Sequence, residues 1–277
     1  MKEAYEHCEA LVRERDRERF LATLFAPADK RPHLHALYAF DLEVAHVPDA
    51  VREPMAGEIR FQWWREALAG ERKEEASANP VAAALLDTIN RCGLPADGLI
   101  ATIGARQFDL LGQPMESRDL LYTYLDATSG KIIELAARIL DRAWEPGLAA
   151  RHAGRATGLA RMLRNIAFDV SKGRLFVPLD LLAAHEVHTV SVLGGENSDG
   201  LRTVLAELRA RADTELSVLR QSSLPAQVLP AFLPTALTPL YLARMRKSGY
   251  DPFRSDVRVS ALRTQFALWR AARFGKL

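Results

Sequence analysis

Apolar residues recur with helical spacing along nearly the whole chain, and that pattern constrains the fold before any motif is considered. Side chains three and four apart share one face of a helix, so stripes at this period bury themselves against other helices. The alternation that a half-buried strand needs surfaces only in fragments such as EVHTVSVLG. The expectation is all-α, with helices near 3–19, 31–48, 55–70, 80–92, 95–112, 117–142, 146–170, 178–185, 199–222, 228–248 and 257–274. Pro27, Pro54, Pro80, Pro95, Pro146, Pro178, Pro225 and the Gly194–Gly195 pair fall between the stripes, where a missing N–H or a positive φ is useful. The loosest stretch, 186–200, is short enough for a surface loop, and no longer internal repeat is present. Residues 1–277 are therefore read as a single domain.

Composition narrows the function classes. Hydrophobic residues at 48% and charged residues at 26% suit a globular chain with a sizeable core. Lys+Arg of 37 against Asp+Glu of 35 leaves +2, which argues against nucleic acid as a partner and means that an anionic ligand must be met locally. Cys8 and Cys92 form no CxxC and no Cys/His cluster, so neither a disulfide framework nor a structural zinc site is expected, and a reducing compartment is. The first residues mix charged and apolar side chains instead of forming a greasy signal, and no apolar run reaches the length of a spanning helix. The expected location is cytoplasmic, or at most peripheral at the inner membrane face. The histidines show no HExxH spacing, and GxSxG, GxxxxGK[ST] and GxGxxG are all absent.

Two segments carry the chemistry: LYAFDLEVAHVPDAV, from Leu37 to Val51, and GLARMLRNIAFDVSKGRLFVPLDLL, from Gly158 to Leu182. Both resemble the squalene/phytoene synthase family, in which one helix carries Y-x-W-C-R-x-x-D-[DE]-x-x-D and another Q-L-T-N-I-x-R-D-V-x-E-D, then R-G-R-x-Y-L-P. Tyr38, Phe40 and Asp49 match the first pattern or its near substitutes. Leu159, Arg164, Asp169, Gly173, Arg174, Phe176 and Pro178 match the second. The resemblance implies an isoprenoid-synthase-like helical bundle around a central apolar cavity, and a prenyl transferase that joins two prenyl diphosphates head to head. It further implies Asp49 and Asp169 as catalytic acids and ligands of Mg2+, with Tyr38, Arg161, Arg164, Asn165, Lys172 and Arg174 around the diphosphate. The family's logic is physical: carboxylates at i and i+4 share a helix face, and two such helices present four of them to magnesium, an oxygen-seeking ion that bridges to phosphate. The metals neutralise the leaving group while the apolar wall keeps water from the carbocation.

This chain departs from the pattern at those acids. The first acidic position on the first helix is Ala45, followed by His46, so only Asp49 remains; on the second helix Asn165 replaces the first Asp, so only Asp169 remains. Where the family keeps a neutral Asn, Arg161 brings a cation. A charge pair near 4 Å is worth about 4 kcal/mol nominally, and half of that per lost carboxylate weakens metal binding more than tenfold. Asp41, one turn before Ala45, with Asp126 and Glu43, is the available compensation. A buried unpaired Asp is costly, so Arg161 is expected to meet Asp49 or another acid.

The runs FLATLFAPADKRPHLHALYAF, REPMAGEIRFQWWREAL and NPVAAALLDTI are similar to the branch of the family that contains the mitochondrial complex I assembly factor and its bacterial homologues. That resemblance implies a non-catalytic or weakly catalytic factor for assembly or lipid binding, the working prenyl transferase being the alternative. Its partners would be a prenyl diphosphate or other lipid-like ligand and a membrane or membrane complex. Trp63 and Trp64 point about 100° apart on a helix, so one belongs to the core. In SALRTQFALWRAARFGKL, Leu262, Phe266 and Trp269 recur on one face among Arg263, Arg270, Arg273 and Lys276, with no acid. Such a helix either lies in a bilayer interface or packs its apolar face against the bundle.

Overall fold

Helices here are started and stopped by local chemistry as much as by apolar stripes. The computed structural model describes residues 1–145 and 147–277; Pro146, expected as a break, lies outside the described residues. Every regular element among the described residues is helical. In order these are α1 (Lys2–Arg15), α2 (Arg17–Thr23), α3 (Arg31–Ala50), α4 (Pro54–Ala69), α5 (Lys73–Ala78), α6 (Pro80–Cys92), α7 (Ala96–Arg106) and α8 (Phe108–Leu111). Then come α9 (Arg118–Leu125), a π-turn (Asp126–Gly130), α10 (Lys131–Leu140), α11 (Gly147–Ser171), α12 (Leu179–Ala184), α13 (Thr189–Leu193) and α14 (Asp199–Arg220). The chain ends with α15 (Leu229–Phe232), a 3-10 turn (Leu233–Leu237), α16 (Thr238–Met245) and α17 (Ala261–Phe274).

Differences from the expected boundaries have identifiable causes. Asp16 splits the stretch 3–19, because its carboxylate accepts from the Arg19 N–H at 3.0 Å and so caps α2 instead of extending α1. Pro230, Pro234 and Pro239 each sit at the start of a short turn and divide 228–248 into three pieces. The stretch 117–142 is a rod interrupted by the π-turn. The β-branched fragment around Val190 and Val192 is the short helix α13, and α5 fills the space between Gly70 and Pro80 with too few residues to show a period.

One continuous apolar cluster reaches from Cys8 on α1 to Leu277. Phe40 on α3 is fully buried and meets Trp64 of α4 edge-on at 5.1 Å, burial that is worth about 2–3 kcal/mol. Trp63 turns outward and donates its indole N–H to Glu75 at 2.9 Å, so the tryptophan pair is divided between core and rim. The long helix α11 packs against α14 and the π-turn. A Cβ at Gly154 would lie 2.3 Å from the backbone of Gly130, so only glycine lets these two backbones approach this closely. That approach brings Ser129 of the π-turn onto the inward stripe of α11. No helix among the described residues is long and apolar enough to cross a membrane.

Candidate functional site

The inward stripes of α3 and α11 face each other and bound two cavities. The larger, about 390 Å3, is lined by α2, α3, the π-turn, α10, α11 and the 234–241 region, with Arg19, Tyr38, Asp41, Arg164 and Tyr241 among its walls. The smaller, about 240 Å3, is lined by Asp49, Asp109, Tyr124, Phe168, Asp169 and Arg174, among others. The residues common to both are Ala45, Arg161 and Asn165. The shared wall is therefore built from the positions at which this sequence departs from the acidic pattern.

In the smaller cavity both remaining acids are engaged by one guanidinium. Arg174 Nη2 lies 2.9 Å from Asp49 Oδ1 and 3.4 Å from Asp169 Oδ1. Burial pushes the Asp169 carboxyl up to about 6, and Arg174 only partly offsets it. Beside them Tyr124 donates its hydroxyl to Asp109 at 2.9 Å, and Arg106 donates to Tyr124 at 2.8 Å and to Asp109 at 3.3 Å. Burial raises Asp109 as well, with Arg106 opposing. Among the described residues no three His, Cys, Asp or Glu side chains gather as a metal-ligand group. The two motif acids, Asp49 and Asp169, thus share one arginine instead of standing as free carboxylate oxygens of the kind magnesium prefers.

The larger cavity has the opposite character. Burial acts to raise the pKa of Asp41, but Arg19 at 2.8 Å and Arg106 at 3.6 Å outweigh it and hold that carboxyl below its ordinary value. Arg19 also pairs with Asp16 at 2.5 Å and covers the ring of buried Tyr38 at 4.9 Å. Arg164 pairs with Glu18 at 2.9 Å and stacks over Tyr241 at 4.4 Å, and the Tyr241 hydroxyl donates to the same Glu18. Arg161 is different. Its hydrogen bond goes to Ser129 Oγ at 3.1 Å, and among the described residues it forms no ion pair. Burial first, then Arg106, draws its pKa below the ordinary arginine value.

These placements revise the sequence expectations in several respects. Arg161 does not meet Asp49; Arg174 has taken that acid, and Arg161 turns to the π-turn instead. Lys172 is exposed, lies 5.8 Å over the Phe168 ring and lines neither cavity. Of the acids considered as compensation, Asp126 is bound bidentately by Arg155 at 2.7 Å, Glu43 lines a separate depression, and Asp41 is held by arginines. Tyr38, Arg164, Asn165 and Arg161 do meet around the larger cavity, as Asp49, Asp169 and Arg174 do around the smaller. Arg19, Arg106, Asp109 and Tyr124 carry much of the site's electrostatics, yet no motif singles them out.

A family profile described as squalene/phytoene synthase matches residues 12–265. The NADH dehydrogenase (ubiquinone) complex I, assembly factor 6 of Rattus norvegicus is 30% identical over 254 residues, covering 91% of this chain and 76% of that protein. The squalene synthase HpnC from Alicyclobacillus acidocaldarius superposes with a TM-score of 0.77 at 25% identity, over 90% of this chain and 95% of its own. A dehydrosqualene synthase in complex with ligand shares the fold at a TM-score of 0.85 and 18% identity, over 99% of this chain and 97% of its own.

Proposed function

Because the chain belongs to the squalene/phytoene synthase family, we propose that it keeps the family's cavity but uses fixed arginine charge in place of metal-driven chemistry. In this reading it binds an anionic, lipid-like ligand of the prenyl diphosphate class and acts as a non-catalytic factor in assembling a membrane complex of the complex I kind. Its place of action is the cytoplasmic side of the inner membrane. The similarity to the rat assembly factor supports the second half of the proposal.

The observation that carries the first half is Arg174 held between Asp49 and Asp169. In a transferase those acids would hold magnesium, whose role would be to neutralise the leaving diphosphate. Here a guanidinium pairs with both, and Ala45 and Asn165 return no carboxylate. The ligand's anionic end would instead meet Arg161, the cation on the shared wall that forms no ion pair, with Arg164 and Tyr38 farther along the larger cavity. Arginine suits this task because its planar fork matches phosphate oxygens without a bridging ion.

Isothermal titration with a non-hydrolysable farnesyl diphosphate analogue tests the reading. Binding should be unchanged whether magnesium or excess EDTA is present, and the restored Ala45→Asp/Asn165→Asp protein should become magnesium-dependent. Steady release of diphosphate from farnesyl or geranylgeranyl diphosphate by the unaltered protein would overturn the proposal in favour of a working prenyl transferase.

A further inference from the structure

Helix α17 turns its bulkiest apolar side chains outward. Thr264, Leu268 and Ala271 are buried, and the helix packs on the 3-10 turn and α2. Leu262, Phe266, Trp269 and Phe274 stand 80, 62, 49 and 58% exposed. The last three form a continuous ridge, with ring centroids 5.8 Å apart between Phe266 and Trp269 and 6.2 Å between Trp269 and Phe274. The packing alternative considered from the sequence, with this face against the bundle, is not the one adopted.

Charge along the ridge has one sign. Residues 257–277 contain Arg258, Arg263, Arg270, Arg273 and Lys276 and no Asp or Glu, in a chain whose overall net charge is only +2. Arg258 pairs with Asp256 at 2.8 Å; Arg263, Arg270, Arg273 and Lys276 are exposed, and among the described residues none forms an ion pair. An outward aromatic ridge flanked by unpaired cations is the side-chain order that settles at the boundary between headgroups and acyl chains. We propose that α17 docks this protein on an anionic lipid bilayer, with the ridge in the interface and the four free cations on the headgroup phosphates.

Charge complementarity selects that occupant over a second copy of the chain, which would set the same cations against each other. Position adds to the argument. The two elements that carry α17 also line the larger cavity, through Arg17, Glu18 and Arg19 of α2 and Pro234 of the 3-10 turn. Docking would therefore bring the bilayer beside that cavity, although the docking proposal itself does not depend on what the cavity binds.

Flotation of the full chain with vesicles of phosphatidylcholine alone, or mixed with phosphatidylglycerol, provides the test. The protein should bind the mixed vesicles and be released by salt. Phe266→Ala/Trp269→Ala should weaken partitioning at least about tenfold with unchanged thermal unfolding, since both side chains are exposed. Arg263→Gln/Arg270→Gln/Arg273→Gln should weaken it about fivefold per cation removed. Failure to bind mixed vesicles, equal binding to neutral ones, or equal binding by the aromatic variant would overturn the proposal. So would a concentration-dependent dimer that the aromatic variant abolishes. Titration of the cavity with the farnesyl analogue is a separate measurement, so either proposal can fail without the other.

Discussion

Arg174 and Arg161 serve the two cavities in opposite ways. Arg174 lies between two carboxylates that lack their acidic neighbours, and its charge is consumed within the protein. Arg161, two helical turns before Asp169 on α11, is met by a neutral hydroxyl and keeps its charge available. The contrast shows how losing one acid from each of two facing helices can be answered twice: once by balancing what remains, and once by leaving an excess. The first answer stabilises the fold; the second leaves a buried cation without an ion pair, at a cost in stability.

Opposite signs under mutation follow. Arg174→Ala should cost about 3 kcal/mol in denaturant unfolding, because it strands two partly buried carboxylates. The added change Asp169→Asn should recover a large part of that loss. If Arg174→Ala is neutral, the balancing role assigned to it is wrong.

Asp169 gives the next largest effect, through pH. Its folded-state carboxyl is raised to about 6, so between the ordinary Asp value near 4 and 6 the folded protein holds the extra proton. Stability from this group is present at low pH and is lost as pH rises through that window. After allowance for its partial exposure, Asp169→Asn should gain about 2 kcal/mol over the parent at pH 7 and nothing below pH 3.5. An unchanged difference between the two proteins across that range would show that Arg174 fully offsets the burial.

Arg161→Met should raise stability by about 1 kcal/mol, since it removes an unpaired, deeply placed charge, while abolishing binding of the farnesyl diphosphate analogue. Loss of stability instead would mean that Arg161 is balanced in a way its geometry does not indicate. Smallest of all, Ser129→Ala should cost about 0.5–1 kcal/mol by thermal unfolding, the net worth of one hydrogen bond.

The helical class was legible because a 3.6-residue apolar period survives along most of the chain, and breaks at Pro54 and Pro80 are stated outright by the sequence. Capping by Asp16 was not legible, since a charged residue within a charged stretch looks like one more solvated position. Asp49, Asp169 and Arg174 could be placed in one neighbourhood by motif, but not their mutual pairing, which depends on how the turn after α11 folds back. Gly173, with φ of 69° just past the helix end, makes that reversal. Arg106, Asp109 and Tyr124 escaped altogether: a buried charged network is defined by what surrounds it, and in sequence α7 and α8 look like an ordinary amphipathic stretch. The aromatic row on α17 was visible as a pattern, yet which side of that helix faces the bundle is decided by small residues, Thr264 and Ala271, that draw little attention in sequence.

The π-turn between α9 and α10 joins them without breaking their shared inward stripe. Each residue of an α-helix advances the side-chain direction by about 100°, so a rod as long as 118–140 could not choose its inward faces independently at both ends. Leu121, Tyr124 and Leu125 before it and Ile132, Leu135 and Ile139 after it are all buried and keep one helical period, so the widened turn leaves the inward stripe continuous. Removing one residue from 126–130 would rotate everything downstream by roughly a quarter turn, exposing the α10 stripe or twisting the site apart. The register of this segment is thus a length constraint: substitutions within it can be absorbed, but a single insertion or deletion cannot.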